Sequence, residues 1–113
     1  MNIRERLANR RGGENIEFET SPRPGVRPIA YAATLGYFDD GRLAEVFLRA
    51  GKAGTDLAIQ AQETALVASF ALQYGCPVEA LRAAMPRTAD GKPEGAIGRL
   101  LDLLADERGV DST

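Results

Sequence analysis

GYFDDGRLAEVFLRAGKAGTDLAIQAQETALVASFALQYGCPVEAL, residues Gly36–Leu81, is the stretch whose reading decides the fold. Asp39-Asp40-Gly41-Arg42 lies between two apolar runs, and Asp-Gly predicts a two-residue hairpin turn because both central positions need φ > 0. On one side, Ile29, Tyr31, Ala33, Leu35 and Tyr37 share a face of a strand over Ile29–Phe38. On the other, Leu43–Arg49 carries Val46 and Leu48 on one face and Leu43 and Phe47 on the opposite one, a pattern expected of a central strand. Gly51-Lys52-Ala53-Gly54 breaks that strand, and Thr55 or Asp56 can cap a helix. The helix is expected to run to about Tyr74 and stop at Gly75. Asp56 and Glu63 are its charged residues. At the helical period Gln62, Ser69 and Gln73 form a narrow polar stripe. Leu57, Ala58, Ala61, Ala65, Ala68 and Leu72 form a small-residue face, and Ile59, Leu66, Val67, Phe70 and Tyr74 a larger one. A helix apolar over most of its circumference is expected to be buried on more than one side. Its small face allows close approach, either within the monomer or across a two-fold homodimer.

Working outward, Glu14–Thr20 alternates: Ile16, Phe18 and Thr20 against Asn15, Glu17 and Glu19, the period of a half-buried edge strand. Ser21–Pro28 holds three prolines and a glycine and must be a loop. Beyond the long helix, Cys76-Pro77-Val78-Glu79 starts a second helix with Pro77 at its first position, a stripe of Val78, Leu81 and Met85, and a stop at Pro86. Arg87–Lys92 is a polar loop. A third helix is expected from Pro93-Glu94 to about Glu107, with Ile97, Leu100, Leu101 and Leu104 facing the core and Gly109 stopping it. Residues 1–13 form a basic arm with a short helix over Ile3–Ala8, residues 14–109 the single domain, and residues 110–113 a frayed tail. Strands first and helices after give an α+β class: a three-stranded antiparallel sheet followed by three helices, the long Ala-rich helix packed on the sheet.

With 113 residues, 44% apolar and 27% charged, the chain has the balance of one globular domain. No run approaches the ~20 apolar residues that span a bilayer. MNIRERLANRRGG has arginines without an apolar core, so no secretory leader is expected and the protein reads as cytoplasmic. Histidine is absent and Cys76 is the single cysteine. This excludes Ser-His and Cys-His nucleophile pairs, His-containing metal sites and an internal disulfide. A net charge of −2 gives no bulk attraction to nucleic acid, although Arg4, Arg6, Arg10 and Arg11 make the first residues basic and Asp102, Asp106, Glu107 and Asp111 make the last acidic.

Each candidate for chemistry has a plainer reading beside it. Cys76 at a helix start has a lowered thiol pKa in principle, but without a partner it reads as a packing residue. Asp39 and Asp40 read as turn residues rather than cation ligands. Asp102 and Asp106 read as a solvated helix face rather than an acid–base pair. Gly51–Thr55 precedes a helix N-terminus as an anion loop does, yet lacks the spacing of a P-loop and reads as a corner. Gly95-Ala96-Ile97-Gly98 has the outline of a nucleic-acid GxxG clamp without its basic groove. The arginine arm can pair with phosphate or with acidic protein surface.

Arg4-Glu5-Arg6-Leu7 with Asn9-Arg10-Arg11, Asp39-Asp40-Gly41-Arg42-Leu43 with Glu45-Val46-Phe47, Lys52 and Gly54, and Ala71-Leu72-Gln73-Tyr74-Gly75 with Pro77-Val78-Glu79 occur in order over roughly three-quarters of the chain. In this the chain resembles the TSCPD-type domain near the C-terminus of cobalamin-dependent (class II) ribonucleotide reductases, and short stand-alone proteins carrying that domain. The radical barrel, the catalytic cysteines and the cobalamin site of those enzymes have no counterpart here, and the Thr-Ser-Cys-Pro-Asp signature is absent. The resemblance therefore implies a non-catalytic accessory or interaction module in deoxyribonucleotide metabolism, without cofactor, metal or catalytic residue. Its partner would be a reductase, a nucleotide or a second copy of itself. The best surface candidates are the hairpin (Asp40, Arg42), the corner (Lys52, Thr55) and the arm (Arg4, Arg6, Arg10, Arg11). Alternatives are a single-stranded nucleic-acid binder using the arm and the GxxG, and a small phage-type or regulatory inhibitor that blocks a protein partner.

Overall fold

Two side chains of the long helix, Ser69 and Gln73, bond to the backbone of the neighbouring strand, and this contact sets how the layers meet. A computed structural model describes residue 4, residues 13–21 and residues 25–108, with residues 107 and 108 described by backbone alone. The elements are β1 (Glu14–Thr20), β2 (Ile29–Tyr37), β3 (Leu43–Arg49), α1 (Asp56–Gln73), α2 (Val78–Ala84) and α3 (Ala96–Arg108). The strands form one antiparallel sheet in the order β1-β2-β3, and the chain is α+β. Apart from residue 4, the short helix expected at residues 3–8 lies outside the described residues, as do the residues beyond 108 and the middle of the Pro-rich loop.

Alternation in β1 and β2 translates directly into faces. Phe18, Ala33 and Leu35 are buried, with Ile16, Tyr31 and Tyr37 packed at the margin, while Asn15, Glu17 and Glu19 are exposed. The Phe18 and Tyr31 rings stack at 5.4 Å across the β1–β2 pair. Ala44, Val46 and Leu48 of β3 complete the buried face, and α1 and α3 cover it. Ile97, Leu100, Leu101 and Leu104 of α3 are all buried, as their spacing predicts. The opposite sheet face carries Glu17, Ala30, Ala32, Phe47 and Arg49 without a helical layer, as antiparallel sheets permit.

β3 is an edge strand, not the central one, and β2 is the centre. The misleading signal has a local cause. Between Gly36 and Tyr37 the register shifts so that one extra residue of β3 opposes β2, a β-bulge. The bulge moves Leu43 opposite Tyr37, onto the core face, where it is buried. Phe47 stays on the open face and is 53% exposed. The hairpin also differs from the two-residue form. Phe38 N–H donates to Arg42 O (2.8 Å) and Gly41 N–H to Phe38 O (2.9 Å), enclosing a three-residue loop with Gly41 at φ 92°. That is the type I turn with a left-handed third residue, where glycine carries no Cβ penalty.

The edge of β3 is covered by α1, which runs antiparallel to it. Val46 N–H donates to Ser69 Oγ (2.8 Å), Ser69 Oγ donates to Val46 O (3.1 Å), and Gln73 Nε2 donates to Ala44 O (2.9 Å). Four residues of helix advance about 6 Å and two residues of strand about 6.6 Å, so the two bonding positions fall in step. The polar stripe of α1 is thus buried rather than solvated, at least at Ser69 and Gln73.

This contact fixes the rotation of α1 about its axis. Ala61, Ala65, Ala68 and Leu72 face the sheet and are buried, which lets the helix approach closely. The larger face is not buried as its composition leads one to expect. Ile59, Leu66, Val67, Phe70 and Tyr74 are 44%, 58%, 69%, 39% and 43% exposed. The small face is consumed within the monomer and is not available to a dimer. Replacing Ala65 by Leu is therefore expected to push the helix off the sheet and cost about 1–3 kcal/mol, read from urea unfolding. An unchanged midpoint would contradict the close packing.

Candidate functional site

The hairpin is built from its own residues. Asp40 accepts from Arg42 N–H (3.1 Å) and from Arg42 Nε (2.7 Å), and the guanidinium lies 4.6 Å from the Phe38 ring centroid. The Arg42 side chain and backbone N–H together hold the Asp40 carboxyl below its ordinary value. These two candidate residues are brought together, but on each other.

The corner is also locally satisfied. Thr55 is the N-cap of α1: its Oγ1 accepts from Ala58 N–H (3.2 Å) and donates to Lys52 O (2.7 Å). Gly54, at φ 87°, turns the chain into the helix. Asp56 occupies the first turn, where its charge opposes an anion at the helix N-terminus. The Lys52 side chain is exposed. Hairpin and corner lie at opposite ends of the seven-residue strand β3, about 20 Å apart, so they do not form one site.

Arg4 has a defined place. Its Nε donates to Gln73 Oε1 (2.5 Å) and its guanidinium stands 4.3 Å from the Phe70 ring centroid, a cation–π arrangement. Gln73 thereby links Arg4 to Ala44 at the hairpin end of β3. Arg6, Arg10 and Arg11 lie outside the described residues. Between the β3 edge and α1 runs a groove of about 780 Å³, whose walls include Arg4, Phe47, Arg49, Glu63, Leu66 and Phe70. This surface mixes apolar and charged side chains. Sequence reasoning singled out only Arg4 from it. The exposed apolar side chains were visible in the sequence but assigned to the core.

The remaining candidates take structural roles. Cys76 is half-buried, and its thiol donates to Pro77 O (3.5 Å). Pro77 is the residue before α2 rather than its first helical one. A Cβ on Gly98 would lie 3.0 Å from Pro93 Cβ and 3.3 Å from Met85 Cβ, so this glycine serves close packing of α3. Among the described residues no group of three Cys, Asp or Glu side chains could hold a metal ion. No described helix is long and apolar enough to cross a membrane.

Asp102 does not lie on a solvated face. It accepts from Arg87 Nη2 (2.8 Å) and Nη1 (3.0 Å) and from Arg82 Nε (2.9 Å), joining α2, the 85–95 loop and α3. The Arg87 hydrogen bonds, followed by that of Arg82, lower its pKa from 3.8 to about 2. A depressed carboxylate pKa stabilises the fold at neutral pH, and that stability is lost as the pH falls from about 4 through about 2. Asp102→Asn should lower stability by about 1–2 kcal/mol at pH 7. The gap between variant and wild-type melting temperatures should narrow from about pH 4 and close only as the pH reaches about 2. A constant gap from pH 7 to pH 2 would rule out this ion cluster as its source.

Comparison with protein-family models, with curated proteins and with solved structures found no match.

Proposed function

We propose that this chain is a non-catalytic protein-interaction module that acts beside a ribonucleotide reductase, in the supply of deoxyribonucleotides for DNA replication. One observation carries the interaction role. Leu66 and Val67 on α1 and Phe47 on β3 are each more than half exposed, next to a groove walled by Arg4 and Phe70. Contiguous exposed apolar surface of this kind is retained where a partner covers it. The direction towards a reductase comes from the ordered motifs around Asp39–Leu43, Gly51–Thr55 and Ala71–Glu79. In this fold the residues of those motifs build a hairpin, a helix cap and a helix end, which are roles that need no chemistry.

The test is direct binding of the purified chain to the ribonucleotide reductase of the same organism, by biolayer interferometry, with reductase turnover measured alongside. We expect a complex of micromolar affinity or tighter, weakened at least ~10-fold by Phe47→Ser, and no turnover by the chain alone. An effect on turnover in the complex separates an accessory from an inhibitor. Absence of a complex, together with steeply salt-dependent binding to mixed-sequence single-stranded oligonucleotides, would replace this reading with nucleic-acid binding.

A further inference from the structure

The exposed side chains of α1 are spaced so that the helix is complementary to itself. Ile59, Glu63, Leu66, Val67, Phe70 and Tyr74 form one stripe along four turns. A two-fold axis crossing the helix midway between Leu66 and Val67 sets Leu66 opposite Val67 of the second copy. The same axis sets Ile59 opposite Tyr74 and Glu63 opposite Phe70. Every large apolar residue of the stripe then meets an apolar residue or the aliphatic stem of Glu63. Glu63, the one charge in the middle of the stripe, comes opposite the ring on which Arg4 rests. A lone carboxylate and a guanidinium are thus paired twice over, with no like charges facing each other.

We propose that α1 forms an antiparallel two-fold interface with a second copy of this chain, centred on Leu66 and Val67. The size of the patch supports a dimer. The five apolar side chains leave roughly 500 Å² in water, at the upper end of what a monomer shows, and a stable interface needs about 800 Å² per partner. The polar and small residues Gln60, Gln62, Thr64 and Ala71 rim the stripe and, with Glu63 within it, make up the difference. The interface is isologous, so it closes at two copies and builds no filament. It also leaves the part of the open sheet face away from β3, with Glu17 and Ala32, free in each protomer. The inference rests on the reading of the chain as a binding module: it gives Leu66 and Val67 to a second copy and leaves Phe47 and the open sheet face to the reductase.

Sedimentation equilibrium of the purified chain tests it without any reductase present. The expected mass is twice the 12.1 kDa of one chain at micromolar concentration. Val67→Glu, at the most exposed of these positions, should keep the circular dichroism of the wild type and weaken the dimer about 100-fold. Glu63→Arg should weaken it, and Glu63→Arg with Arg4→Glu should recover part of the loss. Glu19→Lys, at an exposed position of β1 on the sheet edge away from α1, should leave the dimer intact. A monomer at ~100 μM, or a dimer indifferent to Val67→Glu, overturns the proposal. A monomer that still binds a reductase would overturn the dimer alone and keep the interaction role.

Discussion

Ser69 and Gln73 hold the edge of β3, and the rest of the molecule is arranged around that contact. A three-stranded sheet has two edges, each a row of unpaired backbone groups that invites another strand. At β3 the row is met by an alcohol and an amide carried on a helix: the hydroxyl both accepts from and donates to Val46, and the amide donates to Ala44. Buried polar groups without such partners cost about 1–3 kcal/mol each, so the pairing constrains the helix strongly. It fixes the direction of α1, its register along β3 and its rotation.

The consequences follow in order. Rotation puts the alanine face against the sheet, where Ala61, Ala65 and Ala68 allow close approach. The same rotation turns Leu66, Val67 and Phe70 outward. The exposed stripe is therefore a product of how the edge is closed. A helix rotated to bury its large side chains would leave Ser69 and Gln73 without Val46 and Ala44. Gln73 extends the arrangement by accepting from Arg4, which lays a guanidinium over Phe70 and adds one positive charge to an apolar surface. The functional proposal and the edge chemistry are two sides of one helix.

The elements and the inward faces of β1, β2 and α3 were legible in the sequence, because periods of two and of 3.6 depend only on neighbours along the chain. The rotation of α1 was not. Alanine and leucine both count as apolar, and the residues that decide between the faces are Ser69 and Gln73, whose partners are backbone atoms more than twenty residues away. An i, i+4 polar pair in the otherwise apolar second half of the helix, beside a small sheet, was the available sign. The place of β3 was hidden by the bulge after Gly36, which moves Leu43 to the core side and breaks the alternation. Asp102 was hidden for a similar reason: Arg82 and Arg87 reach it from another helix and a loop. Of the candidate site residues, Arg4 belongs to the groove, whereas Asp40, Arg42 and Thr55 are engaged in turn and cap bonds.

Native-state hydrogen exchange of the Val46 amide tests the edge contact most directly, in the wild type and in Ser69→Ala. Val46 N–H points away from β2, so nothing but Ser69 accounts for its protection. In the wild type it should exchange as slowly as the core amides of β2, through global unfolding. In Ser69→Ala its protection should fall at least ~10-fold below that of Glu45 and Phe47, whose amides face β2 by alternation. A Val46 amide that exchanges freely in the wild type, or one equally protected without the Ser69 hydroxyl, would contradict the account.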